Sequence, residues 1–277
     1  MKFRRSERLV DMTTYLLEHP RQLIPLTYFA ERYSSAKSSI SEDLGILKET
    51  FEHRGIGTLQ TIPGAAGGVK FFVKVSDEES KPFVQQLCEM IAKPDRLLPG
   101  GYLYLTDILG NPSIVQKAGR IIASAYAASS IDVVMTVATK GIPLAYAVAS
   151  QLNVPVVIVR RDSKVTEGPT VSINYVSGST KRIQPMVLSK RSLAEGSKVL
   201  IVDDFMKAGG TVMGMKSLLE EFKAIVAGIA VLVEAEKIEE RLVDEYISLI
   251  QLSNVDVREK RINVKEGNYF LKKGRGK

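Results

Sequence analysis

Residues Val199 to Thr211 read Val-Leu-Ile-Val-Asp-Asp-Phe-Met-Lys-Ala-Gly-Gly-Thr. Four apolar residues run straight into two adjacent carboxylates, and the stretch closes on a Gly-Gly-Thr turn that opens a helix. A buried strand of this kind fixes Asp203 and Asp204 at a sheet edge, where they can accept hydrogen bonds from sugar hydroxyls. Gly209 and Gly210 leave backbone N–H groups free to face an anion at a helix N-terminus, which carries partial positive charge. Thr211 adds a hydroxyl donor. An Asp pair placed immediately before such a turn implies a ligand with a diol and a phosphate. The plainer alternative is a strand-turn-helix junction with surface aspartates.

The surrounding sequence has the texture of an open α/β sheet. Ile131 to Val137 and Val154 to Val159 are nearly continuous apolar runs, as expected of parallel strands covered on both faces. Lys198 to Val202 and Ile225 to Val233 supply further strands, with helices over Pro143 to Leu152 and Val212 to Phe222. Ligands collect at the carboxyl ends of strands in such sheets. Arg160 to Gln184 is rich in Ser, Thr, Gly and Lys and too long for an ordinary connection, so a functional lid or disorder is expected there.

The first 75 residues differ from the rest. Arg5 to Glu18 places Leu9, Val10, Met12, Leu16 and Leu17 at helical spacing, Pro25 to Tyr33 forms a short second helix, and Ala36 to Phe51 a third. Two strands, Gly57 to Ile62 and Val69 to Val75, flank a Pro-Gly-Ala-Ala-Gly-Gly loop. This is the order of a winged helix-turn-helix, the alternative being a small α+β packing domain. Lys37, Ser38, Ser39 and Ser41 begin the third helix, where a recognition helix reaches bases and phosphates. Gly64, Gly67 and Gly68 allow the loop backbone to approach a sugar-phosphate chain, with Lys70 at its edge. Lys2, Arg4, Arg5 and Arg8 crowd the first turns and are placed to grip neighbouring phosphates. An amphipathic helix from Ser76 to Lys93 then links residues 1–75 to residues 76–277.

Composition narrows the function classes. Hydrophobic residues at 45% and charged residues at 25% suit a globular protein with a sizeable core. No apolar run is long enough to span a bilayer, and the N-terminus lacks the apolar stretch of a signal peptide, so a cytoplasmic protein is expected. The single cysteine, Cys88, sits in the apolar pattern of the linking helix and reads as a structural thiol. Two histidines, His19 and His53, stand apart from other metal ligands, which argues against a zinc site or a Ser-His-Asp hydrolase. The net charge of +7 is compatible with a polyanionic partner. RNA binding through a basic face lacks the interleaved aromatics that stack on exposed bases. The tail Lys272, Lys273, Arg275 and Lys277 is expected to be solvated.

Residues 95 to 265 resemble the type I phosphoribosyltransferases, whose 5-phosphoribosyl 1-pyrophosphate (PRPP) motif matches Val199 to Thr211. The resemblance implies that Asp203 and Asp204 contact the ribose 2- and 3-hydroxyls. It also implies that Lys207, Ala208, Gly209, Gly210 and Thr211 hold the 5-phosphate, next to Phe205 and Met206. In that fold a second loop, occupied here by Ala138-Thr139-Lys140-Gly141, cradles the pyrophosphate; a helix-capping turn is the alternative. Arg160 is a further pyrophosphate or base-side candidate. Lys164 to Lys181 corresponds to a flexible hood, with Thr166 through Tyr175 closing over the ligand, and Tyr102 either stacks on a base or packs a wall. One departure stands out: the usual phosphate loop has a hydroxyl where Ala208 lies, and Lys207 adds a point charge.

Over nearly its full length, from KFRRSERLVD through PGAAGGVK to DDFMKAGGT, the chain resembles the purine operon repressor family of Gram-positive bacteria. That resemblance implies a winged helix followed by a phosphoribosyltransferase-like domain resembling xanthine phosphoribosyltransferases, in a regulator without catalytic activity. It further implies a homodimer on double-stranded DNA of purine-gene control regions, released by PRPP, with no tightly bound cofactor. Magnesium is expected to arrive with the pyrophosphate, and other phosphorylated nucleotides to share the pocket. Helix Ser76 to Lys93 and the stretch Pro185 to Leu193 are the expected dimer contributors. The competing expectation is an active purine phosphoribosyltransferase with an appended nucleic-acid-binding domain.

Overall fold

The computed structural model of the chain describes residues 3–64, 66–162, 165–176, 183–236, 240–256 and 259–273. Helix α1 (Arg5–Glu18) turns Met12 and Leu16 inward, α2 (Leu26–Arg32) contributes Phe29, and α3 (Lys37–His53) contributes Ile40, Leu44, Leu47 and Phe51. Strands β1 (Gly57–Ile62) and β2 (Gly68–Val73) pair antiparallel, from Gly57 opposite Val73 to Ile62 opposite Gly68. These elements close one hydrophobic core that runs from Met12 to Phe71. Three helices and a two-stranded wing are therefore present in the expected order.

A second body begins at Val73 and Val75, whose side chains already belong to a different core. Helix α4 (Asp77–Ile91) is capped by Ser76, whose hydroxyl accepts the Glu79 N–H at 3.3 Å. A small hairpin of β3 (Leu97–Leu98) and β4 (Tyr102–Leu103) follows, then the single turn α5 (Thr106–Leu109) and α6 (Pro112–Ala125). Next come β5 (Val133–Val137), α7 (Ile142–Leu152), β6 (Val156–Val159) and a hairpin of β7 (Thr170–Val176) with β8 (Ile183–Ser189). The chain continues through β9 (Lys198–Met206), α8 (Gly210–Glu221), β10 (Ile225–Ala235), β11 (Ile247–Asp256), β12 (Arg261–Glu266) and α9 (Tyr269–Lys273).

Six strands form one sheet in the order β12-β11-β10-β9-β5-β6, parallel except for the β11–β12 edge. Helices α4, α6 and α7 pack on one face, and α8 with the β7–β8 hairpin covers the other. Both faces are thus buried, which explains why Val199, Leu200, Ile201 and Val202 form an unbroken apolar run with no exposed position. From β5 the chain moves outward to β6, then returns to lay β9 on the other side of β5. That reversal opens a crevice between the carboxyl ends of β5 and β9, the place where open α/β sheets bind ligands.

Two expectations change, and the reading of Cys88 as a structural thiol holds. The Arg160 to Gln184 stretch holds β7 and the start of its antiparallel partner β8, and Tyr175 is buried in the core against α8 instead of closing over a ligand; the hood residues at 163–164 and 177–182 lie outside the described set. The start of the basic tail is anchored: Tyr269 is fully buried and the Lys272 ammonium donates to the Tyr246 carbonyl at 2.7 Å. Residues 274–277 lie outside the described set. Cys88 is half-buried in α4, where burial pushes its thiol up to about 11, so it stays protonated at neutral pH. No helix among the described residues is long and apolar enough to cross a membrane.

The two bodies are joined by arginines that end on main-chain carbonyls. Arg21, in the turn after α1, donates to the Ser129 carbonyl at 2.8 Å and the Leu152 carbonyl at 3.3 Å. In the other direction Arg120 on α6 reaches the Gly55 and Ile56 carbonyls at 2.6 and 3.0 Å and the Glu79 carboxylate at 2.6 Å. Each charge-assisted contact is worth about 1.5–3 kcal/mol. In an Arg21→Ala/Arg120→Ala variant, amide exchange over residues 5–73 is expected to accelerate ahead of the parallel sheet. An exchange profile unchanged from the parent's would show that the junction rests on other contacts.

Candidate effector cavity and nucleic-acid interface

A cavity of about 690 Å³ occupies the crevice at the β5 and β9 carboxyl ends. Its floor is the end of β9, where side-chain alternation slips once. Leu200 and Val202 face the same core as Phe205, whereas Met206 faces the opposite core with Val199 and Ile201. The slip falls on Asp203 and Asp204, and both line the cavity. Asp203 is only 3% exposed, and its Oδ1 accepts the Asp204 N–H at 2.9 Å. Burial, then the neighbouring Asp204 carboxylate, raises the Asp203 pKa well above the usual range. Burial also raises Asp204, while Lys140 draws it back down, as Arg161 does for Asp203. The pair is a desolvated double carboxylate with its cations held across a gap, ready to accept hydrogen bonds from hydroxyl donors.

Two loops meet at this pair. Behind Asp203, a Cβ on Gly141 would stand 2.3 Å from Thr136 Oγ1 and 3.0 Å from Asp203 Oδ1. Only glycine lets the start of α7 approach the carboxylate that closely. Ala138, Thr139 and Lys140 line the cavity in front of it. On the other side Gly209 takes φ +96° as the N-cap of α8. Lys207, Ala208, Gly209, Gly210 and Thr211 all line the cavity, with Lys207 exposed at the rim. The first N–H groups of a helix lack internal partners and point along its axis, so this end of α8 is an anion seat.

The walls come from further away. Tyr102 is 55% exposed on the β3–β4 hairpin beside Gly100 and Gly101. Arg96 anchors that hairpin from beneath with two 2.7 Å bonds to the Asp107 carboxylate and others to the Tyr104 and Met90 carbonyls. The facing wall is Leu252, Ser253, Asn254 and Val255 of β11, where the pairing with β12 shifts register. The sequence reading missed these four residues; the apolar run Ile247 to Leu252 was the available signal. Arg160 is a correction. Its backbone pairs with Val187 and its guanidinium lies 3.4 Å from Glu167, while the next residue, Arg161, lines the cavity. No group of three or more His, Cys, Asp or Glu side chains that could hold a metal occurs among the described residues.

The winged helix sorts its own candidates. Arg5 and Arg8 grip the fully buried Asp43 of α3, through Nε to Oδ1 at 2.8 Å and Nε to Oδ2 at 2.9 Å. Arg8 is thereby largely covered, whereas Arg5 keeps an exposed side chain, as does Arg4. Lys2 lies outside the described residues. Gly68 is buried, and a Cβ there would stand 2.2 Å from the Ile24 carbonyl oxygen; one on Gly67 would stand 2.2 Å from that of Ile62. The close approach these glycines permit is therefore intramolecular. Gly64 is exposed at φ +112° with open space around it, and Lys70 is half-exposed on β2.

At 100° per residue, Lys37, Ser38, Ser41, Gly45 and Lys48 share one exposed stripe of α3, which Glu52 closes at the last turn, with Glu42, Ile46 and Glu49 on the adjoining one. Ser39 is half-buried on a different flank. The stripe opens onto a groove bordered by Leu26, Thr61 and Val69, and a Cβ at Gly45 would meet nothing within 4 Å. Gly45, Lys48 and Thr61 extend the candidate surface beyond the first turn, and the helical spacing of Lys48 from Lys37 and Ser41 was the sequence signal for it.

Residues 4–73 match the family model described as the bacterial purine repressor N-terminal domain, and residues 105–265 match the phosphoribosyl transferase domain. Fold and site thus define a winged-helix DNA-binding domain carried on a phosphoribosyltransferase domain. The chain is 67% identical to the purine biosynthesis transcriptional repressor PurR of Bacillus subtilis, over 98% of this chain and 95% of that protein. It is 51% identical to the purine biosynthesis transcriptional activator PurR of Lactococcus lactis, over 96% and 98%. The chain belongs to this family of purine biosynthesis regulators. Adenine phosphoribosyltransferase from Thermoanaerobacter pseudethanolicus superposes with a TM-score of 0.52 at 25% identity, covering 60% of this chain and 98% of that one. The relatives that match along the whole chain are thus regulators, and the enzyme matches the second domain alone.

Two outcomes follow from these geometries. Because the folded Asp203 pKa is raised, its protonated form favours folding, and that contribution fades as pH climbs from about 4 through the raised value. Asp203→Asn is therefore expected to be more stable than the parent at pH 7, by roughly 1–3 kcal/mol, with the gap closing toward pH 4. Thermal melts between pH 4 and 8 measure this, and equal melting temperatures throughout would contradict it. On the DNA side, Lys48→Ala is expected to lower the slope of log affinity against log salt by about one. Arg8→Ala is expected to cost about 3 kcal/mol of stability while leaving that slope unchanged. Anisotropy titrations across a salt series, alongside denaturant melts, separate the two.

Proposed function

We propose that the chain is a cytoplasmic repressor of purine biosynthesis genes, whose grip on double-stranded DNA is released when PRPP fills the cavity. The single observation that carries this reading is the meeting of three groups in one crevice. Paired carboxylates suit a ribose diol, the α8 N-terminus with Lys207 suits a 5-phosphate, and Lys140 with Arg161 suits a second anionic group across the gap. PRPP has these three features in one molecule. Ala208 removes a hydroxyl from the phosphate turn, but backbone N–H groups dominate such seats, so binding survives. The donors present are cations and N–H groups with two carboxylates, a set that fits a magnesium-chelated pyrophosphate; the magnesium supplies charge neutralisation and arrives with the effector. Other phosphorylated nucleotides share enough of this chemistry to compete.

A ligand can release DNA only if it binds the DNA-free state more tightly, with a coupling of about 1–3 kcal/mol being typical. Helix α7 runs from the cavity to the winged-helix body: it begins at the Lys140–Gly141 turn and ends at Leu152, whose carbonyl accepts a hydrogen bond from Arg21. The protein acts as a homodimer in this reading. Met186, Leu188 and Leu193 face the chain's own core, so they do not supply an apolar dimer surface.

The test is footprinting and affinity on purine-gene control regions with and without PRPP and magnesium, for the parent and Asp203→Ala. PRPP is expected to weaken parent binding by about 5- to 150-fold, and to leave Asp203→Ala on the DNA. Identical inhibition of the two would remove the pocket from the reading. Pyrophosphate release from PRPP and a purine base would instead favour a transferase.

A further inference from the structure

Behind the phosphate turn lies a buried carboxylate that lines no part of the cavity. Glu234, the penultimate residue of β10, is 1% exposed and sits opposite Met206 in register. It accepts hydrogen bonds from the Tyr246 hydroxyl and from Ser248 Oγ, the latter at 2.6 Å, and lies 3.4 Å from the Arg241 guanidinium. Arg241 also donates to the Ala235 carbonyl. The segment between Arg241 and Tyr246 is thereby tied at both ends to one carboxylate. Its far end is held again from the C-terminus, where Asn268 and Lys272 both donate to the Tyr246 carbonyl.

The middle of that segment meets the phosphate turn. The Leu242 N–H donates to the Ala208 carbonyl at 2.9 Å. Val243 is 3% exposed, and its Cγ2 lies 2.8 Å from the point where a Cβ on Gly209 would stand. Leu242 and Val243 thus back the main chain of Ala208 and Gly209 from the side away from the cavity, at the residue that carries φ +96°.

We propose that residues 241–246 form a strap that fixes the phosphate turn in its anion-binding shape, with Glu234 as its positioning residue. This rests on the reading of Lys207 to Thr211 as the seat of a 5-phosphate. The strap brings no charge to the ligand; it removes the need to order the turn on binding, and preorganisation of a loop raises affinity by lowering that cost. It therefore acts on ligands that carry a sugar 5-phosphate and leaves the Lys140 side of the cavity alone.

The full chain is titrated with three probes: PRPP with magnesium, ribose 5-phosphate, and inorganic pyrophosphate with magnesium. Variants are Glu234→Gln, Tyr246→Phe and Val243→Ala, the last two small enough to fold if the first does not. Glu234→Gln and Val243→Ala are expected to weaken PRPP and ribose 5-phosphate by the same factor, roughly 3- to 10-fold, with pyrophosphate affinity unchanged. Tyr246→Phe, which removes one donor of three, is expected to fall between these and the parent. DNA affinity without ligand stays at the parent value. Parent-like ribose 5-phosphate binding in folded Val243→Ala and Tyr246→Phe would overturn the strap, as would an equal loss for pyrophosphate, which marks a general structural defect. Failure of the parent itself to bind PRPP or ribose 5-phosphate would overturn the phosphate-seat reading and the strap with it.

Discussion

Two adjacent carboxyl groups held out of water, which resist ionising together, set the terms for the second domain. Asp203 and Asp204 repel each other and lose solvation, so the fold must hold them with structure that does not yield. The central strand does this by being apolar on both faces up to the residue before them. Gly141 allows α7 to close in behind without a side chain between, and the opposing cations stand off on separate loops. The result is a site whose free energy is poor when empty and improved by hydroxyl donors and anions.

The winged helix solves a similar problem by the opposite route. Asp43 is as deeply buried as Asp203, yet two guanidinium groups from α1 reach it directly. That pairing fixes α1 across α3 and draws the Arg8 guanidinium inward. The outward face of α3 is left with small residues and two lysines along its first three turns, where Glu42 and Glu49 are set to one side and Glu52 follows only in the last turn. A close-fitting surface with few long side chains suits approach to a sugar-phosphate backbone.

Much of this was legible in the residues themselves. The Val199 to Thr211 run carries its own boundary signals, and the three-helix order with a glycine-rich wing loop is equally explicit. What stayed hidden depends on distant partners. Nothing near Arg5 or Arg8 announces that Asp43 lies opposite, and their local pattern is that of a phosphate clamp. Arg160 and Arg161 are adjacent and chemically identical; only the phase of the strand and its bridge to Val187 decide which enters the cavity. The β7–β8 hairpin was masked by polar residues at its middle, and the cavity wall of β11 by the absence of any charged or glycine-rich motif. Glu234 reads as an unremarkable strand-end acid until its three donors are assembled from positions 241, 246 and 248.

The junction between the two bodies has a consequence for how such a chain can change over generations. Arg21 and Arg120 end mainly on the carbonyls of Ser129, Leu152, Gly55 and Ile56. A carbonyl is present whatever side chain its residue bears, so the clasp itself makes no demand on the side chains at its four acceptor positions. Inheritance has only to keep two arginines and the backbone path, which leaves both domain surfaces free to be retuned to new operators without the halves losing their mutual register.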